Sequence, residues 1–453
     1  MGKSTDEDLL TRLNASVPRY TSYPTAPQFY EVDEALYRKK IASFEASAKP
    51  LSIYIHIPFC KTMCLFCGCS VVLNRKPETQ KAYLQLLLQE IASLPFTRKR
   101  EVLQLHLGGG TPTSLTEEEL SELMDALHSR FFFPPQAEIS IEIDPRTVYG
   151  DAGKKLKKLR ALGFNRVSFG VQDLDPLVQE AVKRRQSEEM TVTTYHLARE
   201  CGFSGINLDL MYGLPHQTRE RFAKTAAKIV ALKPDRISFF SYAKVPWLKA
   251  HQKAIPDAWL PTDMEKFAIY TEARECFING GYEAIGMDHF ALLSDPLTLA
   301  YREKKLMRNF QGYSVSLAKD MIGLGVTAIG FLENAYFQNK KTIAEYGDAI
   351  LRGELPVDRG YILHEEDQIR YWVIQKMMCH FCVDKQEFAA TFQIPFDVYF
   401  VKQRKEIDRL IQEGLVEETA AILLATSTGR LFVRLIAAVF DAYLNLGIYS
   451  KVL

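Results

Sequence analysis

Four closely spaced cysteines form the clearest chemical pattern in the sequence. Cys60, Cys64, Cys67 and Cys69 follow a β-rich run and give the spacing CxxxCxxCxC. A short loop with the first three can wrap one face of a cubane iron–sulfur cluster, with one iron on each thiolate. Such clusters usually have four cysteine ligands, so three ligands leave one iron open. A zinc site or four incidental thiols are the alternatives, but zinc prefers paired CxxC motifs far apart in sequence.

Glycines and a carboxylate occupy unusual places in two later β-rich runs. Gly108, Gly109 and Gly110 end one run, where the absence of side chains allows a ligand to approach the backbone closely. A tight strand-to-helix turn would need the same residues. Glu142 lies inside an apolar run, where a carboxylate is costly unless something hydrogen-bonds to it. A pair of ribose hydroxyls would meet that need.

Three ring-bearing residues lie close to the cysteines in sequence. His56 alternates with Ile55 and Ile57, so it points to the opposite face of the strand. It is either a core histidine or an active-site donor. Tyr54 and Phe66 flank the cysteine loop and can pack on an adenine ring or shield a cluster. Packing in the core is the alternative for both.

Six β-rich runs alternate with helical segments and must position these residues. The runs are 51–57, 102–107, 137–143, 166–171, 206–212 and 236–242. Thr116 and Glu119 predict a capping box, and residues 151–164 predict an amphipathic helix. Such alternation favours a parallel sheet with right-handed crossovers. The unusual polar residues lie at or just past strand ends, which favours an incomplete TIM-like (β/α)6 barrel over a doubly wound open sheet.

The sequence predicts four consecutive segments. Residues 1–45 have no comparable strand pattern and include the proline- and tyrosine-rich stretch 18–30, so we expect an arm along the core. The partial barrel spans 46–290, and residues 291–362 flank it and close over a cofactor. From 363 to 453 the pattern changes to helices, with a short hairpin between the last two. This predicts a separate, mostly helical C-terminal domain.

Composition limits the classes of function. A chain of 453 residues with 47% hydrophobic content can form two or three folded units. Its 56 basic and 55 acidic residues nearly cancel, which argues against nucleic acid or an anionic membrane as the main partner. The start of the chain is polar and acidic, and no run of about 18 apolar residues occurs. We therefore expect a cytoplasmic protein that handles a small molecule.

The segment YIHIPFCKTMCLFCGC at 54–69 resembles the signature of the radical S-adenosylmethionine (radical SAM) enzymes, in particular the oxygen-independent coproporphyrinogen III oxidase family. The resemblance weakens in the C-terminal segment, where it implies only a helical domain. Elsewhere it extends over PRYTSYPTA (18–26), LHLGGGTPT (105–113), EIDPR (142–146), GFNRVSFGVQD (163–173), NLDLMYGLPHQT (207–218), GMDHF (286–290) and NFQGY (309–313).

This resemblance implies a [4Fe–4S] cluster and two molecules of S-adenosylmethionine. The cluster ligands would be Cys60, Cys64 and Cys67. The residues expected at the first cofactor molecule are Tyr54, Phe66, Gly109, Gly110, Thr111, Glu142 and Ile329. Those expected at the second are Gln172, Arg184, Asp209 and Ala243, with Gly110 and Thr111 shared. The residues expected at the catalytic centre are His56, Cys69 and Gln311.

The implied reaction is the oxidative decarboxylation of two propionates of coproporphyrinogen III to vinyl groups, which gives protoporphyrinogen IX in anaerobic haem biosynthesis. A 5′-deoxyadenosyl radical would abstract hydrogen from a propionate β carbon, after which carbon dioxide and one electron leave. We expect a flavodoxin-like or other low-potential reductant and a monomeric enzyme. Arg19 and then Arg308 are the candidates for binding propionates.

Two other activities of related sequences stay open, namely a haem chaperone and a haem-degrading radical SAM methyltransferase. Chaperones in the superfamily typically lack the cysteine that matches Cys69 and the arm at 18–26, and both are present here. Cys69 matches the fourth cysteine that the oxidases add, with a small buried hydrophobe as its alternative. A nucleic-acid binder is disfavoured by the near-zero net charge.

Overall fold

The computed structural model describes residues 10, 13–47, 49–74, 76–315, 318–444 and 449–452. Part of the predicted N-terminal arm, residues 1–9 with 11 and 12, lies outside the described residues. The described strands are β1 (Tyr30–Glu31), β2 (Leu51–Ile57), β3 (Phe59–Cys60), β4 (Val72–Leu73), β5 (Arg100–Gly109), β6 (Phe131–Phe132), β7 (Glu138–Ile143), β8 (Arg166–Gln172), β9 (Gly205–Tyr212), β10 (Arg236–Ser241), β11 (Tyr282–Ile285), β12 (His289–Leu292), β13 (Met307–Asn309), β14 (Gly312–Ser314), β15 (Met321–Leu324), β16 (Ile329–Leu332), β17 (Ala335–Asn339), β18 (Val357–Ile362), β19 (Cys382–Asp384), β20 (Val416–Glu418) and β21 (Ile422–Ala425).

Helices connect most of these strands. They are α1 (Glu34–Glu45), α2 (Pro77–Ser93), α3 (Glu117–Arg130), α4 (Lys154–Ala161), α5 (Pro176–Ala181), α6 (Glu188–Glu200), α7 (Arg219–Leu232), α8 (Asp263–Asn279), α9 (Pro296–Arg302), α10 (Ile343–Leu351), α11 (Glu365–His380), α12 (Lys385–Phe392), α13 (Phe396–Tyr399), α14 (Arg404–Gln412), α15 (Ser427–Leu431) and α16 (Val433–Ala438). None of the described helices combines the length and apolar character needed to cross a lipid bilayer.

Compact packing divides the chain into two units, each discontinuous along the sequence. The barrel unit consists of Phe29–Leu260 and Ser316–Ile362, with 48, 75, 316 and 317 outside the description. The helical unit consists of the described parts of Met1–Gln28, Pro261–Val315 and Leu363–Leu453. The four consecutive segments remain a prediction about the organisation of the sequence.

Six parallel strands form the frame of the barrel unit. They pair side by side in the order β2, β5, β7, β8, β9, β10. This is also their order in the sequence, as in a TIM barrel, whereas a doubly wound sheet reverses its order at a switch point. The six predicted runs are therefore confirmed as strands, and their order supports the barrel.

Further strands extend this sheet on the other side of β2. β15 pairs with β2 in parallel, and β16, β17, β18 and β1 follow as antiparallel neighbours. β1 and α1 lie within the residues predicted as an arm. Ile329, the predicted cofactor-closing residue, is the first residue of β16.

The predicted capping box is present at the start of α3. Thr116 Oγ1 accepts a hydrogen bond from Glu119 N at 3.1 Å, and the Glu119 carboxylate accepts from Thr116 N at 2.8 Å. These two bonds satisfy backbone donors that the first helical turn leaves open. The predicted amphipathic segment 151–164 forms the shorter helix α4.

The N-terminal arm contributes to the hydrophobic core of the helical unit. Leu13, Val17, Tyr20 and Tyr23 are buried in one cluster with residues of α11 and α16. Tyr20 Oη donates a hydrogen bond to the Asp441 carboxylate at 3.0 Å. This part of the arm is therefore built into the core of the helical unit, whereas β1 and α1 belong to the barrel unit.

The C-terminal segment combines helices with a small sheet. β21 lies between β19 and β20, and both pairings are antiparallel. The hairpin formed by β20 and β21 stands between α14 and α15, which confirms the hairpin predicted in this segment. The long helix α11 supplies buried residues to the core of the helical unit.

A fully buried carboxylate joins α2 to the β15 edge of the barrel unit. Glu90 Oε2 accepts hydrogen bonds from Gly325 N at 2.7 Å and from Tyr346 Oη at 2.6 Å. Its Oε1 accepts from Asn339 Nδ2 at 2.7 Å. Burial outweighs these donors and raises the pKa of Glu90 to about 7.

We expect Glu90→Gln to remove one component of the pH dependence of stability. Because the folded-state pKa exceeds the unfolded value, Glu90 stabilises the fold fully below pH 4.5, and this contribution disappears as the pH rises through about 7. The shift corresponds to about 3 kcal/mol of unfolding free energy. Chemical denaturation from pH 4.5 to 8 should show a shallower decline for Glu90→Gln. If the free energy of unfolding decreases equally with pH in the two proteins, this prediction is wrong.

Candidate active site

The cysteine loop begins just after β2. Cys60 ends β3, and Cys64 and Cys67 follow in the loop. Burial raises the pKa of the Cys60 thiol to about 11, and the nearby Cys67 and Cys64 thiols act electrostatically in the same direction. Thr111 Oγ1 lies 3.3 Å from Cys60 Sγ. The structure therefore brings the three predicted ligands together beside the loop that follows β5.

Two arginines surround the thiol of Cys64. Arg184 Nη1 lies 3.5 Å and Arg146 Nη2 lies 3.7 Å from Cys64 Sγ. Both guanidinium groups also pair with Asp144, at 3.6 Å and 2.6 Å respectively. Burial opposes ionisation of Asp144, but Arg184 and Arg146 outweigh it and lower the pKa of this carboxyl. The Cys64 thiol therefore lies within hydrogen-bonding reach of two guanidinium groups.

The donor set fits an iron–sulfur cubane better than a single metal ion. Among the residues that the structure describes, no three His, Cys, Asp or Glu side chains are grouped as ligands of one ion. A cubane places each cysteine thiolate on a different iron, so its ligands need not meet at one point. Three neighbouring thiols with guanidinium groups beside them match this requirement.

Cys69 interacts with one of the three predicted ligands. A hydrogen bond between the thiols of Cys69 and Cys67 lowers the pKa of Cys67. The same hydrogen bond, with burial, raises the pKa of Cys69. Cys69 therefore lies in direct contact with one of the three predicted ligands. The catalytic role of Cys69 remains a prediction.

The end of β5 approaches the cysteine loop so closely that two glycines are required there. Gly109 has φ +118°, and a Cβ at this position would lie 2.6 Å from the His56 ring. A Cβ at Gly110 would lie 2.6 Å from the carbonyl oxygen of Pro58. The glycine segment therefore serves both a left-handed turn and a close backbone approach.

Glu142 lies on β7, the strand that pairs with β5. Its Oε2 accepts a hydrogen bond from Gly109 N at 3.0 Å, and its Oε1 lies 3.3 Å from His106 Nε2. Burial opposes ionisation, but these interactions outweigh it and lower the pKa of Glu142. These interactions compensate the cost of placing a carboxylate in an apolar strand. Glu142 is therefore ionised and can accept further hydrogen bonds.

Tyr54 and His56, two residues apart on β2, are joined by a hydrogen bond. His56 Nε2 lies 2.9 Å from the carbonyl oxygen of Ser70, which can only accept, so Nε2 carries the proton. His56 Nδ1 then accepts from Tyr54 Oη at 3.1 Å. Burial lowers the pKa of His56, which favours this neutral form. The Tyr54 ring also stacks on His106 at 6.0 Å between centroids.

Of the residues predicted for a second cofactor molecule, Gln172 and Asp209 lie on β8 and β9, Ala243 follows β10 and Arg184 follows α5. Arg184 Nη2 donates to the carbonyl oxygen of Gly170 at 2.6 Å, and its buried Nε has no hydrogen-bond partner among the described residues. Asp209 accepts from Ser168 Oγ at 2.9 Å. Burial raises the pKa of Asp209, and the nearby Glu142 adds to the effect. The two predicted cofactor positions are therefore neighbours.

Other predicted residues occupy the same edge or pack beside it. Gln172 ends β8 with φ +69°, and Ala243 follows β10. Phe66 is half-buried against an apolar cluster that includes Leu65 and Tyr242, which supports a packing role for its ring. Contact of Phe66 or Ile329 with a cofactor remains a prediction.

The predicted substrate residues belong to the helical unit. Gln311 lies in the turn between β13 and β14, and its backbone N donates to Asn309 Oδ1 at 2.9 Å. Arg19 pairs with Asp288 at 2.7 Å, and Arg308 lies 3.8 Å from the same carboxylate. Arg308 is 3% exposed, whereas the Arg19 side chain is 32% exposed. Arg19 is therefore the more accessible of the two candidates.

Reasoning from residue types missed three polar residues that shape the site. His106 holds Glu142, while Asp144 and Arg146 connect to the thiol of Cys64. His106 belongs to the stretch LHLGGGTPT, and the other two belong to EIDPR. These stretches were recognised as a pattern, but no spacing rule assigns a partner to each residue.

Comparison with known proteins shows the family to which this chain is similar. Residues 54–229 match the model of the radical SAM superfamily, and residues 363–432 match that of the HemN C-terminal domain. The solved structure of coproporphyrinogen III oxidase (HemN) from Escherichia coli, a radical SAM enzyme, has a TM-score of 0.90 and 41% identity. The match covers 95% of this chain and 100% of that one. It confirms the predicted fold class and defines this protein as a radical SAM enzyme, a class that implies a [4Fe–4S] cluster and S-adenosylmethionine.

Comparison with curated relatives identifies one family within the radical SAM enzymes. The chain is 42% identical to the oxygen-independent coproporphyrinogen III oxidases of Salmonella typhimurium and Escherichia coli K12, over 97% of this chain and 96% of each relative. It is 40% identical to the oxidase of the same name from Synechocystis, over 97% of this chain and 95% of the relative. The chain belongs to the oxygen-independent coproporphyrinogen III oxidase family.

Proposed function

We propose that this chain oxidatively decarboxylates two propionate side chains of coproporphyrinogen III to vinyl groups and releases protoporphyrinogen IX without oxygen. The observation that carries the proposal is the grouping of the Cys60, Cys64 and Cys67 thiols beside Glu142 and Gly109, in a chain that matches the oxidases over 97% of its length. A cluster held by these three thiols would supply the electron that cleaves S-adenosylmethionine to methionine and a radical able to take a hydrogen atom from the propionate.

The ionised Glu142 and the backbone around Gly109 are suited to binding the first cofactor molecule. Glu142 uses one oxygen for Gly109 N and the other for His106, and each oxygen has a further lone pair for a ribose hydroxyl. Gly110 and Thr111 continue this surface toward Cys60. We assign Tyr54, Phe66 and Ile329 to the apolar and aromatic contacts of the same cofactor.

A second cofactor molecule would bind next to the first. Gln172, Arg184, Asp209 and Ala243 are the residues that we assign to it. The buried Arg184 Nε without a partner in the described structure is a donor that a ligand carboxylate could satisfy. Asp209 would accept from an amino or hydroxyl group.

We expect Arg184→Met to weaken or remove one of two cofactor binding events. Loss of a charge-assisted hydrogen bond costs about 1.5–3 kcal/mol, so the affected binding constant should fall by about tenfold or more. Equilibrium dialysis with anaerobic, cluster-loaded protein would count the molecules bound per cluster.

The neighbouring Arg185→Met is the matched control, because Arg185 is exposed and pairs only with Glu180 among the described residues. Iron content must be measured in both variants, since Arg184 also lies beside Cys64. One binding event per cluster in the unmodified protein would refute the second site.

The roles on the substrate side complete the proposal. Neutral His56, with its proton on Nε2, would keep Tyr54 Oη directed toward Nδ1 beside the cysteine loop. Cys69 and Gln311 are proposed to act at the substrate, and Arg19 to bind a propionate. Each propionate loses carbon dioxide, one hydrogen atom and one further electron, so an external electron acceptor is required. A low-potential, flavodoxin-like reductant and a monomeric state are also proposed.

The decisive test is an anaerobic assay with coproporphyrinogen III, dithionite as reductant of the cluster, S-adenosylmethionine and an added electron acceptor for the last electron of each decarboxylation. The expected result is protoporphyrinogen IX, detected by fluorescence after oxidation to the porphyrin, with one equivalent of carbon dioxide for each vinyl group. Cluster-loaded protein that cleaves the cofactor but never forms a vinyl group would refute the proposed substrate.

A further inference from the structure

Side chains from outside the cysteine loop hold its main chain in place. Residues 66–70 form neither helix nor strand. Three of their carbonyl oxygens accept hydrogen bonds from the short segment that follows β10. Gln252 Nε2 donates to Phe66 O at 3.0 Å, His251 Nε2 lies 2.8 Å from Cys67 O, and Lys249 Nζ donates to Cys69 O at 2.7 Å.

The position of the proton on His251 and the hydrogen bonds of Gln252 fix how these two side chains face the loop. The carbonyl oxygen of Cys67 can only accept, so His251 must carry a proton on Nε2. Gln252 is 1% exposed, and its Oε1 accepts from Val245 N at 2.6 Å. Both ends of the Gln252 amide are therefore used, and a buried amide with both ends bonded has one orientation.

The segment that supplies the donors is itself anchored in the barrel unit. Lys244 Nζ donates to Ile255 O at 2.6 Å, and Ile255 is fully buried in an apolar cluster with Leu65. Leu65 N donates in turn to Val182 O at 2.9 Å. The loop and the segment thus share one apolar cluster, so the three donors form a fixed support for the loop.

We infer that Lys249, His251 and Gln252 act as a clamp that positions Cys67 for the cluster and slows loss of the cluster. The inference rests on the proposed ligation by Cys60, Cys64 and Cys67. Iron cannot leave until the loop that carries Cys67 moves away, and this motion must break hydrogen bonds at Phe66, Cys67 and Cys69. Lys249 also adds a positive charge beside the cluster, which favours its reduced state.

The rate of cluster loss tests the clamp. The variants are Gln252→Leu, His251→Phe and Lys249→Met, each reconstituted anaerobically as the full chain. After addition of an iron chelator, the cluster absorbance should disappear about tenfold faster in Gln252→Leu, because about 1.4 kcal/mol of hydrogen bonding is lost from the closed loop. We expect about a fivefold effect in each of the other two.

Lys253→Met is the matched control, because Lys253 is exposed in the same segment and its loss should leave the rate unchanged. If Gln252→Leu fails to fold by circular dichroism, His251→Phe and Lys249→Met decide the question. Rates equal to that of the unmodified protein in the folded variants would overturn the clamp.

The midpoint potential of the cluster distinguishes a specific effect of Lys249 on the cluster from a general effect on the stability of the fold. Lys249→Met should shift the potential of the cluster to a more negative value, and Lys249→Arg should restore it. If the unmodified protein holds no cluster, the proposed ligation fails, and alkylation of Cys67 in the apoprotein then decides the clamp separately. Faster alkylation in the variants supports the clamp, whereas equal rates overturn it.

Discussion

Replacement of Cys60, Cys64 or Cys67 by alanine should in each case leave anaerobically reconstituted protein without a stable four-iron cluster. Each thiolate would hold a different iron, and one iron already lacks a protein ligand, so the loss of any cysteine leaves a second iron open. Cofactor cleavage should fall to background in all three variants. Iron and sulfide analysis, with the thiolate-to-iron absorption bands, measures the result.

Other cysteines provide the comparison. Cys69→Ala should keep the cluster, since Cys69 is not one of the three ligands, and Cys201→Ala and Cys276→Ala should behave like the unmodified protein. The thiol hydrogen bond from Cys69 to Cys67 would be lost, which raises the pKa of Cys67 in the apoprotein. Full cluster content in all three ligand variants would contradict the assignment of Cys60, Cys64 and Cys67.

The frame of the barrel could be predicted because its signal is local. Each of the six parallel strands is a short apolar run between helical segments, so the pattern within each run indicates the element. The sequential pairing from β2 to β10 is then the one that right-handed crossovers between consecutive parallel strands favour. The capping box of Thr116 and Glu119 and the hairpin of β20 and β21 are equally local.

The partners of the site residues could not be predicted in the same way. Cys64 meets Arg184 across 120 positions of the sequence, and Lys249 reaches the carbonyl of Cys69 across 180. Such pairs depend on how strand ends meet in the folded barrel, which no periodicity encodes. Resemblance supplied Arg184 as a residue of interest, but not its contact with Cys64. No sequence pattern indicated that Lys249, His251 and Gln252 donate hydrogen bonds to the cysteine loop.

The arm illustrates a different difficulty. The sequence predicted an arm along the core, but it did not show that Tyr20 and Tyr23 are buried within the core of the helical unit. Burial of a tyrosine requires a partner for its hydroxyl, and Asp441 and the backbone of Ala442 provide these partners from the far end of the chain. Deletion of the arm would therefore damage this unit, so its role must be tested by single substitutions.

Arg19 and Arg308 both contact Asp288, and they differ in how much damage their replacement would cause. Asp288 contacts His289 Nδ1 at 2.6 Å, Arg19 at 2.7 Å and Arg308 at 3.8 Å. Burial opposes its ionisation, but Arg308, His289 and Arg19 outweigh this and hold the pKa of Asp288 well below its usual range. Arg308 is buried and stacks over the Tyr313 ring at 4.5 Å, so its removal would leave a cavity and an unbalanced charge. Arg19 is partly exposed and can be replaced with less damage.

We expect Arg19→Met to reduce kcat/KM for coproporphyrinogen III by about 10- to 100-fold, because a charge-assisted hydrogen bond to a propionate is worth about 1.5–3 kcal/mol. Cluster content and cofactor binding should be unchanged, since Arg308 and His289 still compensate Asp288. Arg302→Met, which removes an exposed ion pair with Glu283 in the same unit, is the matched control.

An unchanged kcat/KM in Arg19→Met would remove Arg19 from the substrate site. The same assays separate the oxidase from a haem chaperone, because only the oxidase forms vinyl groups from coproporphyrinogen III. If the intact, cluster-loaded protein binds haem stoichiometrically and forms no vinyl product from coproporphyrinogen III, the proposed oxidase activity is wrong. The cluster chemistry of Cys60, Cys64 and Cys67 could still hold in that case, because it is tested by iron content and cofactor cleavage rather than by the tetrapyrrole product.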